Sequence, residues 1–260
     1  KNQIPNRRFE VLTFSVIPGL TRYWLNHMKS IKSFKNVTFT IGDCSGGLKI
    51  NKNNNSKIRC IPYLNLSHGV KLDTFINKVC DAEYVLICDD DIFFSDSSPI
   101  TYALNKFNQD PKLAAVSLYP RPDSKKRINE YSQIYSKNQI GIEINDLMGS
   151  YCLLIRKQVW VDEKLSFQQV KPKNWRSIGN FFDTCDYANF KLIDLGYNII
   201  ISPTRLQNKL VVFTSLSLWG LRIQFSQGEI DNVIRERPNE YEKAYQTAVT
   251  LLQLHKSARK

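Results

Sequence analysis

The chain has 260 residues, 42% of them apolar and 12% aromatic, enough to bury one large core or one core with an appendage. Lys and Arg number 36 against 24 Asp and Glu, a net charge of +12, which favours anionic partners such as nucleotide phosphates or an anionic membrane face. No apolar run reaches the roughly 18 residues that a membrane-spanning helix needs, and no Arg/aromatic stripe or nucleic-acid module is recognisable, which speaks against nucleic acid as a partner. Cys44, Cys60, Cys80, Cys88, Cys152 and Cys185 are scattered without a CxxC pair. Reduced, buried thiols in a cytoplasmic protein are therefore expected, and a zinc site is not. The opening "KNQIPNRRFE" has neither a starting Met nor a hydrophobic signal core, so the chain can begin inside a longer protein.

In chain order, "FEVLTFSVI" (Phe9 to Ile17) has the β-branched and aromatic content of a strand and stops at Pro18-Gly19. The stretch "LTRYWLNHMKSIKSF" spaces Leu20, Trp24, Leu25, Met28 and Ile31 as one helical face. "NVTFTIG" is a second strand ending at "DCSGG", and "IRCIPYL" is a third. "GVKLDTFINKVCDA" puts Val70, Leu72, Phe75, Ile76 and Val79 on one helical side, and the apolar "YVLIC" follows. "SPITYALNKFNQD" reads as a helix, "KLAAVSLYP" as a strand and the polar run 121–140 as a loop. "GSYCLLIRKQVW" is a strand running into a turn. "FFDTCDYANFKLIDLGYNIIISP" reads as a helix capped at Gly196, then a strand. The apolar "KLVVFTSLSLWGLRIQF" comes next, and after Pro238 a last helix has Tyr241, Tyr245, Ala248, Leu251 and Leu252 on one side.

Alternating strands and helices, with strands that are continuous apolar runs, predict a mostly parallel sheet covered by helices on both faces. Ligands of such sheets sit at the carboxyl ends of strands. Asp43 and the run Asp89, Asp90, Asp91 both fall at such ends. Hard divalent cations prefer carboxylate oxygens and are commonly held by one or two of them plus substrate phosphates. If "CDDD" is extended, Asp89 and Asp91 share one side and Asp90 points elsewhere, towards a nucleotide ribose. A cation there, Mn²⁺ or Mg²⁺, could bridge a diphosphate and stabilise it as a leaving group.

The order strand, Pro-containing turn, helix, strand ending in Asp-x-Ser, then "EYVLICDDD" resembles the nucleotide-sugar-binding half of GT-A glycosyltransferases. It is most similar to the family-2-like enzymes with their Asp-x-Asp strand end, and the triple Asp also resembles exostosin-type transferases. The resemblance runs over residues 9 to 205, about three quarters of the chain. It implies a Rossmann-like α/β domain over residues 1–205, with the C-terminal segment 206–260 packed on it. It implies that Pro18 lines the nucleotide pocket and that Asp43 accepts a hydrogen bond from the base, typically uracil. Asp89 and Asp91 would form the metal-binding pair, with Asp91 the more direct ligand, and Asp90 would complete the nucleotide site. Gly149 and Ser150 would permit close approach of the donor sugar. Asp186, with Asp183 in reserve, would be the catalytic carboxylate at a helix start, where the dipole favours negative charge.

Departures from the family-2 pattern are concrete. Asp73-Thr74 stand where an Arg-Asn pair is usual, Thr184-Cys185-Asp186 replace the Glu-Asp dyad, and "ISPTRLQNKLVVF" lacks a His often found after the last strand. His27 and His255 read as surface or packing residues, and His68 lies in a loop close to the expected donor site.

The expected activity is metal-dependent transfer of a sugar from a nucleotide-diphosphate donor, UDP-linked, to a hydroxyl of a glycan or lipid-linked acceptor. The basic C-terminal "HKSARK" keeps open a peripheral contact with the inner face of a membrane. Two alternatives are a nucleotide- or sugar-binding module without catalysis and an Asp-x-Asp phosphohydrolase. The second expects its motif near the N-terminus, and here the acids come after two strand–helix units.

Overall fold

The structure is a computed structural model that describes residues 9–34, 36–50, 57–62, 67–120, 147–168 and 184–212. Seven strands form one sheet in the order β3-β2-β1-β4-β7-β6-β8, and β5 pairs separately with β9. The strands are β1 (Phe9–Ser15), β2 (Thr38–Asp43), β3 (Ile58–Pro62), β4 (Tyr84–Cys88), β5 (Ile92–Phe94), β6 (Leu113–Ser117), β7 (Cys152–Arg156), β8 (Asn198–Ile201) and β9 (Leu210–Val212). The helices are α1 (Pro18–Ser30), α2 (His68–Lys78), α3 (Ser98–Gln109), α4 (Lys157–Asp162), α5 (Asp186–Asp194) and α6 (Thr204–Gln207). The sheet is mostly parallel and flanked by helices: β1–β4, β2–β3 and β6–β8 run parallel, and β7 is antiparallel to both β4 and β6. The strand order reverses at β1, which places a topological switch point beside that strand, the position where open α/β sheets bind ligands.

The chain divides into two compact units. One comprises Lys1–Leu12, Leu66–Cys88 and Asp96–Lys209, the other Thr13–Asn65, Asp89–Ser95 and Leu210–Lys260.

In the first unit, all five residues of β4 and of β6 are buried, as strands covered on both faces require. Arg156 at the end of β7 donates to the carbonyls of Phe107, Asp110 and Leu113. It thereby satisfies Phe107 O and Asp110 O at the open end of α3 and Leu113 O at the start of β6, while its guanidinium lies over the rings of Tyr84 and Phe107. Helix α5 ends in a Schellman motif. Gly196 takes φ +73, its N–H bonds Ile193 O, and Tyr197 N–H bonds Leu192 O, a geometry that favours a residue without Cβ.

In the second unit, α1 buries Leu20, Trp24, Leu25 and Met28, each worth about 1.5–3 kcal/mol when an aliphatic or aromatic side chain leaves water. Pro18-Gly19 does not merely separate strand from helix. Pro18 is the first residue of α1, where its fixed φ suits the helix and its missing N–H would be unsatisfied anyway.

Two local readings are corrected. "KQVW" after β7 starts the helix α4 rather than a turn. His68, read as lying in a loop, is the first residue of α2. Ile92–Phe94, which had no assignment, is a strand paired antiparallel with Leu210–Val212. The polar run 121–140, Asp183, and residues 213–260 with their expected helix lie outside the described residues.

Candidate functional site

The acids leave β4 in a turn, not in an extended run. Ile92 N–H bonds Asp89 O at 3.2 Å, so Asp90 and Asp91 occupy the two central positions of a β-turn. The expected alternation of sides along Asp89–Asp91 therefore does not apply. Asp90 and Asp91 are buried at 1% and 5% exposure, and Asp89 is half-buried. The turn lets the chain reverse into β5 and pair with β9.

Helix α1 holds this turn and the strand after it at three points. Thr21 Oγ lies 2.5 Å from Asp90 Oδ2, Trp24 Nε1 donates to Ile92 O at 2.8 Å, and His27 Nε2 lies 2.8 Å from Phe94 O. Because a carbonyl only accepts, His27 carries its hydrogen on Nε2. Every third residue of the helix thus meets every second residue of the turn and strand. The rings of Tyr23 and His27 pack on Phe93, with centroids 5.7 and 5.3 Å away. His27, which reads from sequence as a surface or packing residue, is one of these three fastenings.

Thr21 Oγ also lies 2.7 Å from Ser15 Oγ, at the end of β1. One hydroxyl proton serves one acceptor, and the carboxylate is the stronger. Thr21 therefore donates to Asp90, and Ser15 is left to donate to Thr21. The backbone carbonyl of Ser15 accepts from Cys44 N–H at 2.9 Å, which ties the same strand end to the loop after β2.

That loop is organised by Asp43. Its Oδ1 accepts from Ser45 N, Ser45 Oγ and Gly46 N at 3.0, 2.6 and 3.0 Å, and its Oδ2 accepts from Leu48 N at 2.9 Å. Of the roughly four lone-pair positions of a carboxylate, these bonds leave capacity on Oδ2. A methyl group at Gly47 would meet Pro18 Cγ at an ordinary 3.6 Å, so the loop runs alongside the start of α1. Pro18, Asp43 and Asp89–Asp91 all belong to the second unit.

Gly149, Ser150 and Asp186 belong to the first unit. Asp186 is the first residue of α5 and fully buried. One turn on, buried Asn189 clamps both backbone polar atoms of Met148, so the helix that carries Asp186 also fixes the residue before Gly149. A Cβ on Gly149 would lie 2.7 Å from the Tyr151 ring, which is anchored through its hydroxyl to Pro120 O. Asp73 fastens the segment after α4 by accepting from Ser166 Oγ at 2.6 Å and Phe167 N at 2.8 Å. At the start of α2, burial and then the charge of Lys71 push His68 from 6.5 down to about 4.

Thr21, Trp24 and Asn189 were not singled out by sequence for these contacts, and Asp73 stood out only as a departure from a motif. Thr21, Trp24 and His27 do carry a signal, a spacing of three that aligns hydrogen-bonding side chains along an apolar face. Asn189 has none, because its partner is 41 residues away.

Among the described residues no three His, Cys, Asp or Glu side chains come together as a metal-holding group. Asp89 and Asp91 on one turn offer two hard oxygen donors, the protein share expected of a Mg²⁺- or Mn²⁺-type ion that takes its other ligands from phosphate and water. The donor set fits such an ion. No helix among the described residues is long and apolar enough to cross a membrane.

No family model and no curated protein matches the sequence. Among solved structures, the chain is similar to the mannosyltransferase PcManGT from Pyrobaculum calidifontis, in complex with GDP-Man and Mn²⁺. The identity is 14% and the TM-score 0.51, over 98% of this chain and 77% of that one. It is also similar to the galactosyltransferase LgtC in complex with donor and acceptor sugar analogues, at 13% identity and TM-score 0.40 over 76% and 74% of the two chains. A third is glucosyl-3-phosphoglycerate synthase from Mycobacterium tuberculosis, in complex with Mn²⁺ and uridine-diphosphate-glucose, at 12% and 0.40 over 59% and 57%. The first of these likenesses is one of fold: the chain has the GT-A fold, a Rossmann-like, mostly parallel sheet flanked by helices.

Proposed function

We propose that the protein is a metal-dependent glycosyltransferase that moves a sugar from a nucleotide-diphosphate donor, UDP-linked, to a hydroxyl of a glycan or lipid-linked acceptor. The observation that carries this reading is the gathering in one unit of the Asp89–Ile92 turn, the Asp43 loop and the Pro18 helix start, linked through Ser15 and Thr21. Fold analogy with PcManGT, a mannosyltransferase in complex with GDP-Man and Mn²⁺, supports the same class, and the net charge of +12 suits an anionic donor.

In this reading Asp91, with Asp89, holds Mn²⁺ or Mg²⁺, which supplies charge stabilisation of the diphosphate leaving group. Asp43 fixes its loop with most of its carboxylate and keeps its remaining Oδ2 capacity for a donor N–H of the base. Pro18, at the head of α1, borders the nucleotide. Gly149 and Ser150 border the donor sugar. Asp186 takes the proton of the acceptor hydroxyl if the reaction inverts, with Asp183 the other candidate. Its buried start of α5 keeps the carboxylate near backbone N–H groups, which lowers the cost of its charge.

The test is incubation with a panel of UDP- and GDP-sugars and Mn²⁺, reading nucleoside diphosphate release and sugar transfer, on wild type and Asp186→Asn. Turnover by wild type that Asp186→Asn loses while keeping nucleotide affinity supports the assignment. Nucleotide binding with no turnover on any donor indicates a binding module instead.

A further inference from the structure

The geometry points to Asp90 as a positioning residue: we infer that Ser15 and Thr21 hold its carboxylate so that the Asp89–Ile92 turn is fixed for its neighbours to take the cation. This rests on the metal-dependent reading above and divides the three acids into one that shapes the turn and two that serve the ion.

Asp90 is 1% exposed and Thr21 and Ser15 are fully buried. A carboxylate so placed needs hydrogen-bond donors to remain charged, and Thr21 Oγ meets its Oδ2 at 2.5 Å. Thr21 is itself fixed, lying 2.7 Å from Ser15 Oγ and 3.2 Å from Ile17 O. With its one proton given to the carboxylate, Thr21 receives that of Ser15, so two hydroxyls from the end of β1 and the first turns of α1 act in series on one acid. Asp90 sits at the second position of the turn closed by Ile92 N–H to Asp89 O. Restraining its side chain restrains the backbone that carries Asp89 and Asp91 on either side. Trp24 and His27 pin the following strand at Ile92 and Phe94, so Asp90 is the first of three anchored positions in an alternating series.

The consequence separates shape from charge. An amide oxygen accepts the Thr21 hydrogen as a carboxylate oxygen does, whereas a cation discriminates strongly between them. The experiment is calorimetric titration of Mn²⁺ with UDP and with GDP on wild type, Thr21→Ser, Thr21→Val, Asp90→Asn and Asp91→Ala, alongside the thermal midpoint of each. The expected result is that Thr21→Ser binds like wild type and Thr21→Val loses about tenfold or more in metal-dependent affinity, the size of one hydrogen bond to a charged group. Asp90→Asn retains most of the affinity and Asp91→Ala loses it. Metal-free nucleotide binding is unchanged in Thr21→Ser and Thr21→Val.

If Asp90→Asn loses metal-dependent binding as completely as Asp91→Ala, Asp90 is itself a ligand and the inference is overturned. Wild-type affinity in a folded Thr21→Val overturns it as well. If Thr21→Val does not fold, the Asp90→Asn comparison decides alone. Should wild type bind neither nucleotide with Mn²⁺, the metal-dependent reading falls and takes this inference with it; binding by wild type with loss in Asp90→Asn fells the inference alone.

Discussion

Asn189 holds Met148 by both of its backbone polar groups: Met148 N–H donates to Asn189 Oδ1 at 2.9 Å, and Asn189 Nδ2 donates to Met148 O at 3.0 Å. All four atoms are shut away from water in buried residues, so a side chain does here what a neighbouring strand would do. The residue three places before it on α5 is Asp186, the proposed base, and the residue after Met148 is Gly149. Asn189→Ala orphans a buried donor and a buried acceptor, each costing about 1–3 kcal/mol. A loss of about 2–5 kcal/mol in urea unfolding is expected, and Asn189→Asp, which buries a carboxylate against Met148 O, should lose at least as much at neutral pH. A loss below about 1 kcal/mol for Asn189→Ala would show that water replaces both bonds.

Gly69 separates helix propensity from packing. It lies in the first turn of α2, where Ala would ordinarily gain up to about 1 kcal/mol. A Cβ there would stand 2.4 Å from Phe167 O and 2.7 Å from Gln168 Cα. Those atoms are backbone, and Asp73 holds them through Ser166 and Phe167. Gly69→Ala should therefore destabilise by about 1–3 kcal/mol, the usual range for overpacking. Combined with Asp73→Ala, which frees the segment to shift, the two losses should sum to less than their separate values. A stabilised Gly69→Ala would mean that Phe167 does not lie over α2.

His68 gives stability a pH dependence of known sign. Its folded value of about 4 lies below the ordinary 6.5. In that window the unfolded chain binds a proton that the folded chain refuses, so stability from this group is complete above 6.5 and falls as pH drops towards 4. Urea midpoints measured from pH 7.5 to 4.5 should fall less steeply in His68→Asn than in wild type. Parallel profiles would place His68 in water.

The parts of the fold legible in the sequence are those set by local pattern. The buried run Tyr84–Cys88, the apolar face of α1 and the Gly196 cap each follow from residues close together in the chain. Strand direction is not written locally: Cys152–Arg156 has the apolar content of its neighbours, yet it pairs antiparallel on both sides. Val159 and Trp160 favour strand by propensity, but they are buried in α4, where tertiary packing overrides it. The acids were legible as a strand end and illegible as a turn, because the groups that accompany the turn, Thr21 and Trp24, are contributed by a helix 69 and 68 residues distant. Asp43 was legible as a strand-end carboxylate, but its bonds to Ser45, Gly46 and Leu48 show that much of its capacity goes to its own loop.

The central claim is that the Asp89–Ile92 turn serves a metal-bound nucleoside diphosphate. It is tested most directly by calorimetric titration of UDP and GDP, each with and without Mn²⁺, on wild type and Asp91→Ala. Nucleotide binding by wild type should strengthen with Mn²⁺, and Asp91→Ala should lose that metal-dependent part. A wild-type protein indifferent to Mn²⁺ with both nucleotides, or an Asp91→Ala variant that responds to the metal as wild type does, would contradict it.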